Sequence, residues 1–174
     1  MGKVLDARVA GEQLELPRHS RVEPLSLKSV LLRNPQPLIC VDAETPSQEV
    51  LRKLAEHGAA AAAVMEGGRL IGVFSDCDYA RASLCGAVNP ASISVCKTMT
   101  PCAAAASPTD SVQSCLRLMY EHHLRELPVE ENGRVLALVS REELLAAMAT
   151  YLERVCKEAE LDRQIVNLRG TYSC

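Results

Sequence analysis

Ser75, Asp78 and Arg81, spaced three residues apart in LIGVFSDCDYAR (residues 70–81), bring a hydroxyl, a carboxylate and a guanidinium close together in the chain. A hydroxyl three residues ahead of an acid at a helix start closes a capping box, in which each side chain satisfies an orphan backbone N–H. A short carboxylate in that place can instead accept two hydrogen bonds from a vicinal diol. Proton transfer needs a partner, and no His or Lys stands near Asp78 in the chain. The motif recurs as Ser140-x-x-Glu143. Glu143 has the length a capping box prefers, whereas Asp78 is one methylene shorter and is expected to cap less well and to face a diol. Cys77, inside the first motif, is a nucleophile without a neighbouring base, so a thiol enzyme is the weakest reading of this stretch.

The elements that must position these side chains occur twice. Sliding the chain on itself by 65 residues aligns ten identities over 28 positions without a gap, from Gln48 on Gln113 to Ser75 on Ser140. Two copies rather than many argue for similar units packed face to face about a pseudo-twofold axis. Each copy has a short apolar piece (Leu38–Val41; Cys102–Ala106), expected as a strand. A helical pattern follows, with Val50, Leu51 and Leu54 answered by Cys115, Leu116 and Met119. Two apolar runs split by Gly67-Gly68 or Asn132-Gly133 then predict hairpins, the second of type I′. Ala59–Met65 is expected to pair with Leu70–Phe74, and Leu124–Glu130 with Val135–Val139. Helices start after Ser75 and Ser140, the first stopping near Gly86. The second continues through Leu144, Met148, Leu152, Val155 and Ala159 toward Leu168, roughly 40 Å in length. The fold class is thus α+β: two β-α-β-β-α units and a long C-terminal helix. The AAAAAV run (59–64) favours helix by propensity, but its alignment with the Leu124–Val129 strand overrides that weak preference.

Composition narrows the functions open to such a fold. Net charge is −3, and one Phe, four Tyr and no Trp offer little for stacking bases, so nucleic acid is not an expected partner. No segment reaches the roughly 18 apolar residues of a membrane span and no leader pattern is visible, so no membrane partner and a cytoplasmic location are expected. Eight cysteines lack C-x-x-C or zinc spacing and are expected mostly as small core residues, with Cys77 and Cys174 exposed. No metal site follows. His57 and His122 are expected to cap helix ends, and residues 1–27 to form an arm.

KTMTP (Lys97–Pro101) opening the second copy, HHLRELPVEENGRVLALVS (His122–Ser140) closing its hairpin, and LIGVFSDCDYAR in the first resemble a tandem pair of cystathionine-β-synthase (CBS) domains over about residues 28–148. LDRQIVNLRGTY (161–172) is similar to the tails of small bacterial proteins with little beyond such a pair. The expected division is an arm (1–27), unit 1 (28–86), a linker (87–94), unit 2 (95–149) and an extension (150–174). The resemblance implies a non-catalytic regulatory module that binds an adenosine-containing ligand between the units: AMP, ADP, ATP, NAD(H) or S-adenosylmethionine. It also implies a homodimer acting on some regulated protein, with no required cofactor. Asp78 would hold the ribose hydroxyls with Ser75 beside it. Arg125, and more weakly His123, ahead of the Leu127-Pro128-Val129 strand, would meet phosphate from the opposite unit. Ser140 and Glu143 take the matching place in the second cleft, and Arg81 is a secondary contact.

This chain departs from the family pattern at several points. Ala59–Ala63 replaces a stretch that often holds a basic residue and a proline, Glu143 replaces Asp, Ala137 replaces Gly, and Glu126 sets a negative charge beside Arg125. Only the Asp78 cleft is therefore expected to work. The alternative is a structural oligomerisation module whose clefts have lost their ligand.

Overall fold

The computed structural model describes residues 23–84 and 92–170. In the first unit, β1 (Ile39–Asp42) leads through α2 (Ser47–His57) to β2 (Ala61–Glu66), which lies parallel to β1 and turns back as antiparallel β3 (Arg69–Ser75). The turn holds Gly67 and Gly68 at φ 56° and 81°, and its counterpart holds Asn132 and Gly133 at 53° and 77°. Two consecutive positive φ values are what a type I′ turn requires, and Asn-Gly supplies them with little strain. β2 is central, paired on both edges, and its alanines 61–63 are buried. Tertiary pairing has overridden alanine's helix preference there. Small side chains let β2 lie close to the second unit's β6 (Arg134–Ser140).

The second unit has α4 (Val112–Glu121), then the hairpin β5 (Glu126–Glu131) and β6, then α5 (Arg141–Gly170). The strand expected over Cys102–Ala106 is reduced to a single parallel bridge between Ala106 and Val129. Its upstream end is held elsewhere: β4 (Thr100–Pro101) pairs with β3 of the first unit, and Cys102 N–H donates to Ile71 O at 3.0 Å. Only Ala106 is left to reach β5.

Each core is completed by the segment that precedes the other unit. α1 (Leu27–Arg33), capped by Ser26, buries Leu27 and Val30 among Val112, Met119, Leu127 and Leu144 of the second unit. The 3-10 turn Val95–Lys97 buries Val95 among Val50, Val64 and Phe74 of the first. Backbone bonds fasten both crossings: Leu27 N–H to Asp110 O and Val112 N–H to Leu25 O, each at 2.8 Å, are matched by Ser47 N–H to Ile93 O at 2.8 Å and Val95 N–H to Thr45 O at 2.9 Å. Neither unit's core is made from one contiguous stretch, so the two hold each other in place.

The cysteines overturn one expectation. Of the six described, Cys115 alone is buried, while Cys40 and Cys156 are exposed. Cys40 points away from the core because β1 alternates faces and Val41 takes the buried side. Cys85, Cys174, the end of the third helix near Gly86, the arm through residue 22 and most of the linker lie outside the described residues. His57 Nδ1 lies 2.8 Å from Lys53 O, capping α2 as expected. α5 is 30 residues long, about 45 Å, and its stripe divides: Leu144 is buried, Met148 half-buried, and Leu152 52% exposed.

Candidate functional site

β3 ends at Ser75 and α3 (Asp76–Leu84) begins at the next residue, so the strand-to-helix turn aims this serine at the third helical residue, Asp78. Ser75 N–H and Ser75 Oγ–H both donate to Asp78 Oδ2 at 2.8 Å. Asp78 Oδ1 accepts Thr100 Oγ1–H at 2.9 Å and Arg81 Nη1–H at 3.3 Å. In the second unit Ser140 N–H and Oγ–H donate to Glu143 Oε2 at 2.8 and 2.9 Å, and Glu143 N–H donates to Ser140 Oγ at 3.1 Å. Asp78, expected to cap less well, still reaches the Ser75 amide at the same distance as Glu143 reaches its own, but the reciprocal bond that completes the box, from Glu143 N–H to Ser140 Oγ, is found in the second unit alone among the described residues. The turn brings the residues near enough that the amide bond does not need the extra methylene.

Thr100 is the residue that sequence reasoning missed. It arrives on β4, whose pairing sets Val73 opposite Thr100 and Gly72 opposite Pro101. A Cβ on Gly72 would run into Met99 Sδ and stand 2.7 Å from Thr100 O, so glycine is what admits β4 there. Its counterpart Ala137 lies on β6, which pairs only with β5 among the described residues. The glycine and KTMTP in the sequence were the available signal, and only their register joins them.

A cleft between the units opens beside this carboxylate. Ser75, Asp78 and Arg81 form one side, and His123, Arg125 and Pro128 from the second unit the other. The structure thus brings together six of the eight residues expected at a site. His123 holds φ 54°, a left-handed backbone that its counterpart Gly58 adopts at 63°. Arg125 Nη1–H donates to Cys77 Sγ at 2.7 Å, tying the cleft's two walls. Partial desolvation raises the Cys77 thiol pKa, with Arg125 opposing, so the geometry does not activate that thiol as a nucleophile. Glu126 also lines the cleft, and its carboxyl is pushed up first by burial and then by Asp78, with Arg125 opposing.

Ser140 and Glu143 line the equivalent cleft on the other side, together with Gly58, Ala60 and Ala61. The 65-residue shift puts Gly58 where the first cleft has His123, Ala60 where it has Arg125, and Ala146 where it has Arg81. The second cleft therefore carries two carboxylates, Glu126 and Glu143, and no basic side chain among its described lining residues. No group of three His, Cys, Asp or Glu suited to a metal ion occurs among the described residues.

The CBS domain family matches residues 29–84 and 93–150. The chain belongs to the CBS domain family. Its paired CBS units superpose on solved relatives that share the fold. A CBS-domain containing protein from Agrobacterium tumefaciens matches with a TM-score of 0.65 and 23% identity, over 71% of this chain and 98% of that one. A CBS domain pair solved in complex with 5-methylthioadenosine and S-adenosyl-L-methionine matches at 0.63 and 18%, over 74% and 98%. At these identities the likeness is one of fold alone. The Meiotically up-regulated gene 70 protein of Schizosaccharomyces pombe is 28% identical over 137 residues, which is 78% of this chain and 18% of that protein. This CBS pair thus spans less than a fifth of that relative. No helix of the described residues is long and apolar enough to cross a membrane.

Proposed function

We propose that this CBS pair is a non-catalytic sensor that binds an adenosine-containing ligand in the cleft around Asp78. The observation that carries the reading is the junction itself. A buried carboxylate, 4% exposed, comes from one unit and the Arg125 guanidinium from the other, on opposite walls of one cavity. A carboxylate suits a ribose diol and a guanidinium suits phosphate, so one nucleotide can bridge both units. Ribose entry displaces Arg81, whose side chain is 69% exposed and whose bond to Asp78 is the longest of the four. The relative that holds 5-methylthioadenosine and S-adenosyl-L-methionine supports the adenosyl class. Binding acts by differential affinity: a bridging ligand shifts the relative orientation of the units only as far as it prefers one state over another. The sensor works in the cytoplasm as a homodimer, with no required cofactor, and passes its state to a regulated protein.

The second reading is a structural module without ligand, and two observations favour it: the protein's own donors fill Asp78, and the second cleft has no cation among its described lining residues. Calorimetric titration of AMP, ADP, ATP, NADH and S-adenosylmethionine into the parent and Asp78→Ala separates the two. At least one ligand is expected to bind the parent and to lose tenfold or more in the variant, with circular dichroism confirming that the variant is folded. Silence from all five ligands would favour the structural module, and binding indifferent to the substitution would move the site elsewhere.

A further inference from the structure

We propose that Glu126 sets the charge of the ligand the first cleft accepts, favouring adenosyl ligands with one phosphate or none over the triphosphate. The inference rests on the adenosyl reading of that cleft and deepens it. Glu126 lines both clefts, which makes its carboxylate a shared wall between them. The fold does not need it there: the 65-residue shift puts Ala61 at the same place in the first unit, where it is buried on β2. A half-buried acid in place of alanine carries a desolvation penalty that packing does not explain.

Its neighbours make that charge felt. Asp76 and Asp78 face it from α3, Glu142 from α5, and Glu143 shares the second cleft with it. Arg125 is the cation that acts on it, yet the two form no ion pair within 4.0 Å, and Arg125 Nη1–H is directed to Cys77 Sγ. Arg81 is joined to Asp78. The first cleft therefore meets phosphate with Arg125 and, beside it, an incompletely compensated carboxylate. One phosphate can approach Arg125. Each further phosphate adds negative charge facing Glu126, and beyond Arg125 the described lining residues offer only Arg81 and His123 as basic side chains. On the other side the same carboxylate, with Glu143, disfavours any phosphate in the second cleft.

Burial and Asp78 raise the carboxyl of Glu126, so acidification neutralises it ahead of an ordinary glutamate and relaxes the discrimination. The test titrates adenosine, AMP and ATP by calorimetry into the parent and Glu126→Gln at pH 7.5 and 5.5. At pH 7.5 the variant is expected to bind adenosine within twofold of the parent, AMP about threefold more tightly and ATP about tenfold more tightly. The difference for ATP should shrink at pH 5.5. Equal changes for all three ligands or unchanged ATP affinity at pH 7.5 would overturn the role of Glu126 while leaving the cleft assignment standing. Binding of none of the three to either protein would remove the adenosyl reading and this inference with it.

Discussion

A carboxylate offers about four lone-pair positions, and Asp78 has a protein donor at each: the Ser75 amide and hydroxyl, Thr100 and Arg81. Under the proposed function, capping and ligand clamping are sequential uses of one group: Oδ2 holds the helix start, and Oδ1 is the face where a ribose would exchange with Arg81. Glu126 is the residue whose own thermodynamics make this electrostatics visible without a ligand. Its carboxyl lies above the ordinary 4.5, chiefly from burial and then from Asp78. The folded protein thus keeps a proton that the unfolded chain releases, so the stability tied to this group is full below about 4.5 and falls as pH rises through the folded value. Glu126→Gln keeps the shape and removes the titration. Thermal unfolding should give the variant a Tm a few degrees above the parent at pH 7.5 and no difference at pH 4. An equal Tm at pH 7.5 would show that the buried carboxylate carries no net penalty.

Strand β4 and helix α5 are the elements that differ from a plain repetition of the unit. β4 is short, yet it delivers Thr100 to Asp78 because Gly72 leaves room for its backbone. α5 carries Leu144 into the core and then presents Leu145, Leu152 and Leu161 to solvent, each more than half exposed. Leu145 and Leu152, seven residues apart, return near the same side of the helix, whereas Leu161, nine residues further on, faces the opposite side; a second copy of the chain is the occupant that the homodimer reading assigns to the Leu145 and Leu152 side. Truncation after Ala149 removes Leu152 and Leu161 but leaves Leu144 and Met148 in place. Light scattering should then report a monomer where the full chain is a dimer. A truncated chain still fully dimeric would place the contact on another face.

At the scale of the whole molecule the two units are interlocked by α1 and by the turn at Val95–Lys97, each buried in the core of the other unit. The repeat, the two hairpins and the long helix were legible in the sequence because they rest on local signals: a 65-residue identity pattern, Asn-Gly and Gly-Gly turns, and helical periodicity. The lost strand at Cys102–Ala106 was not legible, since β3 of the first unit captures Thr100, Pro101 and the Cys102 amide by pairing that no local pattern announces. Residues 75, 78, 81, 123, 125 and 128 converge on one cleft as the sequence suggested. Thr100 entered through tertiary register, and Glu126, visible in the sequence as a charge beside Arg125, gained its place in both clefts from the fold. Cys40 and Cys156 were misread because an apolar residue type does not say which face of a strand or helix it occupies.

The central claim is that one ligand spans both units, with its ribose on Asp78 and its phosphate on Arg125. Arg125→Ala, titrated in parallel with adenosine and AMP, measures the second half of that bridge by itself. The expected result is an AMP affinity about tenfold weaker than the parent's, the loss of roughly one charge-assisted hydrogen bond, with adenosine unchanged within twofold. An AMP affinity that does not move, or adenosine and AMP losses of equal size, would contradict the bridge.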